Sequence, residues 1–345
     1  MRIQGAQTRV MIAGVGGASL GTEIFKSLVL AGGVEIYGCD VSPTAYGLYQ
    51  PGFAKTYRIT RDRYVDQVLD CCRDAGVEFL IPGGEQPMAL LGAAAERLEA
   101  AGVRLLMNAP GVVAACSDKN ETFRLLASLQ VPMPRTAGIG LDFDAQTVGL
   151  PCIVKPATDS GGSAGVFFAL TTEEVAVYAD YIRRMGGTPV AQEYVDEGEG
   201  EFTIGVLSLP DGTIVGSIAL RRVFDAKLSV SYRGRGGLIS SGYSQGYIDH
   251  FPGLCRQAER IAAGIGSRGP INVQGRVRGG VLLPFEINPR FSASTHLRSL
   301  AGFNEIEMLI RYHLTGRRPE APTIRPGWYL RSLAEDFIPV EKILP

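Results

Sequence analysis

Between residues 269 and 290 the chain carries Gln274, Glu286, Asn288 and Arg290 within two apolar alternating runs that flank Arg278-Gly279-Gly280. Alternation on both sides of a glycine pair predicts a β-hairpin, and residues two apart on a strand share a face. Glu286 and Asn288 therefore point the same way, and Arg290 follows on that face. Gln274 joins them if the register sets it opposite. One carboxylate and two amide oxygens are hard donors that suit Mg²⁺, with Mn²⁺ as an alternative ion, because Mg²⁺ keeps few protein ligands and completes its shell with water and phosphate. A fixed cation such as Arg290 beside that ion would stabilise a phosphoryl group or a developing oxyanion. The plainer alternative is the polar outer face of a half-exposed hairpin.

A second group of residues lies upstream. Pro151-Cys-Ile-Val-Lys155-Pro156 reads as a strand with one charge among apolar neighbours. Burying a lysine there is costly without an anionic partner. Ser160, Gly161, Gly162 and Ser163 follow in a loop of small residues whose backbone N–H groups are free to wrap phosphate. No Gly-x-x-x-x-Gly-Lys-Ser/Thr is present, which disfavours a P-loop.

The segment Phe285-Glu286-Ile287-Asn288-Pro289-Arg290, taken with Lys155 and its glycine-rich loop, resembles the ATP-grasp superfamily, and Asn272-Val273-Gln274 resembles the large chain of carbamoyl-phosphate synthase. That resemblance implies Mg·ATP as cofactor and a carboxylate–amine ligase that passes through an acyl phosphate and releases ADP. It implies Lys119 and Lys155 on the phosphates and Glu193, Tyr194 and Val195 as the hinge whose backbone reads adenine. Glu201 is implied for the ribose hydroxyls, with Glu199 as its rival. Gln274 stands where many members carry glutamate and matches the carbamoyl-phosphate synthase branch, so phosphorylation of bicarbonate or carbamate is an alternative. A non-catalytic nucleotide-binding regulator is another.

The elements that must position these residues follow from periodicity. Residues 9–107 alternate short apolar strands with helices, which predicts a parallel sheet and a Rossmann-like domain over 1–112. The resemblance implies that an ATP-grasp domain of two α+β lobes follows, the first over 113–192 and the second over 193–345. Gly14-Val15-Gly16-Gly17 followed by Asp40 approaches a dinucleotide fingerprint without completing it, so the glycines read either as packing residues or as the turn of an NAD-binding dehydrogenase. Glu85, just past a strand's carboxyl end, is a candidate for a substrate amine, or simply opens the next helix. Arg221 and Arg222 fall on opposite faces of a strand, one toward the nucleotide. The glycine-rich stretch 229–243 has the composition of a mobile substrate lid carrying Arg233 and Arg235. Ser294 and His296 follow the metal hairpin and complete the acceptor-substrate candidates.

Composition narrows the partners. A net charge of −1 over 345 residues gives no electrostatic case for nucleic acid, and no apolar run reaches membrane-spanning length. The six cysteines sit mostly in apolar runs without a Cys-x-x-Cys, which fits buried thiols in a reducing cytoplasm. Small-molecule carboxylate and amine substrates are the expected partners, with a homodimer considered as the assembly.

Overall fold

The computed structural model describes residues 7–17, 20–158 and 165–344. The first domain is a five-stranded sheet in the order β3-β2-β1-β4-β5, built from β1 (Thr8–Ala13), β2 (Val34–Asp40), β3 (Lys55–Arg58), β4 (Phe79–Pro82) and β5 (Arg104–Leu105). All its pairings are parallel. Helices α1 (Leu20–Ala31), α2 (Tyr64–Ala75), α3 (Glu85–Ala93) and α4 (Ala95–Ala100) make the crossovers. The glycines of the first turn serve packing. A Cβ on Gly83 would stand 1.9 Å from the Gly14 carbonyl oxygen, and one on Gly21 would stand 2.0 Å from it. Asp40 closes the same turn, accepting the Val15 N–H at 2.8 Å and the Ser42 N–H at 2.9 Å. Each of its oxygens thus holds one backbone N–H of the turn.

Helices α5 (Pro110–Ser117) and α6 (Lys119–Ser128) lead to a four-stranded sheet, ordered β6-β9-β7-β8. Its strands are β6 (Thr136–Gly138), β7 (Cys152–Pro156), β8 (Phe167–Ala169) and β9 (Pro189–Glu193), with α7 (Thr172–Arg184) packed on them. This small lobe has its own core, which includes Val148, Val154, Val175, Ile182 and Ala191. Val112, Cys116, Phe123 and Leu126 of α5 and α6 share the core of the large sheet described next.

The large sheet has six strands in the order β16-β15-β10-β11-β14-β17. It contains β10 (Glu201–Ser208) and β11 (Ile214–Arg222), from which a hairpin of β12 (Val230–Gly234) and β13 (Gly237–Ser240) projects. β14 (Gly246–Asp249), α8 (Pro252–Gly264), β15 (Pro270–Arg278), β16 (Val281–Asn288), α9 (Thr295–Leu300), α10 (Glu305–Thr315) and β17 (Gly327–Tyr329) complete it. Period-two alternation divides its two faces. Phe202, Ile204, Ile271 and Val273 go to the core under α8, while Glu201, Thr203, Asn272, Gln274 and Arg276 share the opposite face. The β15–β16 register shifts by one residue at Gln274/Gly275, so Phe285 is an extra residue in β16. A bulge of this kind re-aims the side chains beyond it. Leu282 and Ile287 consequently both face the core although they differ in parity. The first domain is fixed to this body by a continuous apolar cluster joining Ile24, Phe25 and Leu28 of α1 to Leu297, Ile306 and Ile310 of α9 and α10.

Candidate active site

Glu286 lies directly opposite Gln274, and Asn288 opposite Asn272. Gln274, Glu286, Asn288 and Arg290 line one chamber, as the hairpin spacing predicts. The bulge at Phe285 turns that residue's carbonyl toward the small lobe, where it accepts Lys155 Nζ at 3.2 Å. Lys155 is the next-to-last residue of β7, is 5% exposed, and also donates to Gln192 Oε1 at 2.8 Å. Burial pulls its ammonium down to about 7; Lys119 pushes the same way and Glu286 opposes. Lys119, at the start of α6, lines the same slot. Asp118 sets that helix start by accepting the Asn120 N–H at 2.7 Å.

The slot between the lobes is a cavity of about 100 Å³ in which Lys119, Lys155 and Glu286 meet Ile153, Val166, Leu238 and Ile239. It is apolar toward the hinge and cationic toward the hairpin. Glu193, Tyr194 and Val195 line it, but their side chains and the Val195 carbonyl serve structure. Glu193 takes Arg278 Nη1 at 2.8 Å and Arg135 Nε at 3.2 Å. The Tyr194 hydroxyl accepts the Leu238 N–H at 2.9 Å and donates to Glu197 at 2.7 Å. The Val195 carbonyl accepts Arg276 Nη1 at 2.5 Å.

Glu201 lines the slot but is 1% exposed, with Arg222 Nη1 at 2.8 Å and Arg276 Nε at 2.9 Å on its two oxygens. Burial raises its carboxyl, yet Arg222 and Arg276 outweigh that and hold it below the usual range. Glu199, its rival, accepts the Gly279 and Gly280 N–H groups and fastens the β15–β16 turn.

Glu85 opens α3 and also reaches the site, accepting Arg290 Nη2 at 2.9 Å. Ser294 lines the Glu286 chamber, 2.8 Å from Ser292 Oγ. His296 is not on that lining. It faces α1, where burial first, then Lys26 and Arg331, lower its pKa to about 4. The stretch 229–243, expected as a substrate lid, lies over the slot. That stretch holds the β12–β13 hairpin, whose inner strand roofs the slot through Leu238, Ile239 and Ser240. Arg233 donates to the Phe224 carbonyl at 2.9 Å, and neither it nor Arg235 is on the slot or chamber lining. Ser160, Gly161, Gly162 and Ser163 lie outside the described residues. Of the pair Arg221 and Arg222, it is Arg222 that reaches the chamber lining, while Gln192, Asn272 and Arg276 are the site residues that sequence reasoning did not assign. The only signal for them was a polar residue in an otherwise apolar strand.

Among the described residues no cluster of three or more histidine, cysteine or acidic side chains could hold a resident metal. Glu286 with two amides fits instead an ion that arrives with its own oxygen ligands. No described helix is long and apolar enough to cross a membrane.

A parallel first domain, two lobes around a slot, a lysine from one lobe and a carboxylate–amide face from the other define an ATP-grasp architecture. Residues 198–335 match the family model described as ATP-grasp in the biosynthetic pathway with Ter operon. Sequence relatives include carbamoyl phosphate synthase large chains. That of Micrococcus luteus is 29% identical over 231 residues, 65% of this chain and 20% of the relative. That of Rubrobacter xylanophilus is 27% identical over 241 residues, 66% and 21%. The chain thus spans about a fifth of the length of the relatives it matches. Among solved structures it shares its fold with an L-amino acid ligase from Bacillus licheniformis (TM-score 0.65, 15% identity, 94% of this chain and 78% of that one). Biotin carboxylase from Campylobacter jejuni gives a TM-score of 0.68 at 15% identity, over 92% of this chain and 73% of that one.

Proposed function

We propose that this chain is an ADP-forming ligase that uses Mg·ATP to join a small carboxylate to an amine through an acyl phosphate. The observation that carries this reading is that Lys155 and Glu286, from different lobes, line one slot and are linked through the Phe285 carbonyl. Complexes of neighbours with magnesium–ADP and with an ATP analogue support the same ligands here. A magnesium ion held by Gln274, Glu286 and Asn288 would offset the charge that builds during phosphoryl transfer.

The chain's own residues supply alignment and neutralisation, with no covalent protein nucleophile. The apolar walls around Ile153 and Leu238 exclude water from the base. Lys155 and Lys119 hold the phosphates. Gln274, Glu286 and Asn288 offer the ion three oxygen ligands, and Arg290 orients the acid and stabilises the transferring group. The substrate acid attacks the terminal phosphorus, and the amine then displaces phosphate to form the amide.

ADP release from the whole chain, screened over pairs of amino acids and small acids, tests this. Glu286→Gln should reduce substrate-dependent ADP release at least about a hundredfold, the scale of losing a transition-state electrostatic contact, with an unchanged circular dichroism spectrum. Unchanged turnover would refute the assignment. A second reading, phosphorylation of bicarbonate or carbamate, is favoured by Gln274 and by the sequence relatives. Bicarbonate-dependent ADP release without any organic acid would select it.

A further inference from the structure

Lys155 is held in the slot by acceptors that bear no charge. Its ammonium has three N–H donors. One goes to Gln192 Oε1 at 2.8 Å and one to the Phe285 carbonyl at 3.2 Å, with the Phe123 ring 5.4 Å away. Among the described residues no third acceptor takes the remaining donor. The charged groups that act on Lys155 are Lys119 of α6, which repels the ammonium, and Glu286 of β16, which attracts it.

The strand register explains how Gln192 comes to be there. Thr136 of β6 lies directly opposite Gln192 of β9, and Lys155 of β7 lies opposite Val190, two residues from Gln192. Residues directly opposite, or displaced by two, share a face of a sheet. Thr136, Gln192 and Lys155 therefore form one row across three strands of the small lobe. That row fixes the Gln192 amide. The single hydroxyl hydrogen of Thr136 goes to the Pro134 carbonyl at 2.9 Å, so its oxygen accepts from Gln192 Nε2 at 2.9 Å. The amide oxygen is thereby turned toward Lys155; an inverted amide would set donor against donor at both ends. Gln192 is 3% exposed, which leaves water little access to either bond. Thr136 itself is not on the slot lining.

We propose that Gln192, locked by Thr136, is a positioning residue for Lys155, aiming its ammonium into the slot through a neutral acceptor that leaves the positive charge and the third donor for an incoming phosphate. A carboxylate at position 192 would form an ion pair that the phosphate must first break. An apolar side chain there would leave a buried ammonium short of an acceptor. The inference rests on the ligase reading only where it names a nucleotide as the source of that phosphate.

Calorimetric titration of the full chain with Mg·ADP, with adenosine and with magnesium tripolyphosphate tests it. Gln192→Glu should weaken Mg·ADP at least about tenfold, the scale of one hydrogen bond to a charged group. Thr136→Val releases the amide without touching a ligand, and should weaken Mg·ADP and tripolyphosphate about threefold or more while leaving adenosine unchanged. Thr136→Ser keeps the hydroxyl and should restore wild-type affinity. A merely structural role would move all three probes together. Equal loss of Mg·ADP and adenosine in Thr136→Val, no rescue by Thr136→Ser, or a Gln192→Glu chain that binds Mg·ADP as tightly as the wild type would each overturn the proposal. Tripolyphosphate binding that depends on Thr136 in a chain that does not bind adenosine would retain the positioning role and discard the nucleotide reading. Mg·ADP binding indifferent to both positions would do the reverse, and a wild-type chain that binds none of the three probes would overturn both.

Discussion

In the free slot at neutral pH, Lys155 sits at the midpoint of its own titration. Burial takes its ammonium to about 7, whereas contact with a phosphate requires the charged form. Apparent affinity for Mg·ADP is therefore scaled by the charged fraction. That fraction falls from about one half at pH 7 to about one hundredth at pH 9, so Kd should rise about fiftyfold, or about 2.3 kcal/mol at 1.36 kcal/mol per tenfold change. Titration calorimetry at pH 7, 8 and 9 in buffers of different ionisation enthalpy measures both the affinity and the proton taken up. Close to one proton per nucleotide is expected at pH 8–9. Lys155→Arg, charged throughout, should flatten the dependence. The free protein should respond in the opposite sense. Because the unfolded lysine, at 10.5, binds the proton more tightly than the folded one, this residue makes the protein more stable as pH rises from about 7 to 10.5. Wild-type affinity that is flat from pH 7 to 9 with no proton uptake would refute the reasoning.

Arg298 and Glu305 form a pair that is wholly buried beneath the chamber, each side chain 1% exposed. Arg298→Met strands a buried carboxylate and should cost about 3–5 kcal/mol, read as a lower denaturant midpoint. A loss below about 1 kcal/mol would mean that the pair is solvated. The β12–β13 hairpin is fastened to the slot by Tyr194, whose hydroxyl accepts the Leu238 N–H. Tyr194→Phe should therefore accelerate trypsin cleavage at Arg233 or Arg235, and Mg·ADP should slow cleavage of the wild-type chain. Rates indifferent to both changes would remove the hairpin from nucleotide binding.

Much of this architecture is legible in the sequence because local periodicity and the final packing agree. The helix over 64–75 falls where its amphipathic pattern places it, with Gly76 in a left-handed cap, and the 269–290 hairpin turns at its glycine pair. Short polar or edge elements were harder to read. Lys55–Arg58 has no alternating apolar face yet pairs along β2, and the helical stretch that begins at Glu85 breaks at Ala94. Pro110 opens a helix, since a proline at the first helical position loses no hydrogen bond. The site divides in the same way. Glu286, Asn288 and Arg290 are near neighbours in sequence, and two-residue spacing predicts their common face. Asn272 and Arg222 acquire meaning only through partners such as Arg298 and Ser241, which no spacing rule connects to them.

The small lobe enters the chain as an insertion between α6 and β10, and its interior is separate from that of the large sheet. Its ties to the opposite wall include Lys155 to Phe285, Glu193 to Arg278 and the Tyr194 hydroxyl to Leu238. Two independently packed jaws joined at one side can part and meet again without either losing its internal order. A guest wedged between them would gain burial from both surfaces, while the work of opening falls on a handful of polar links at the rim.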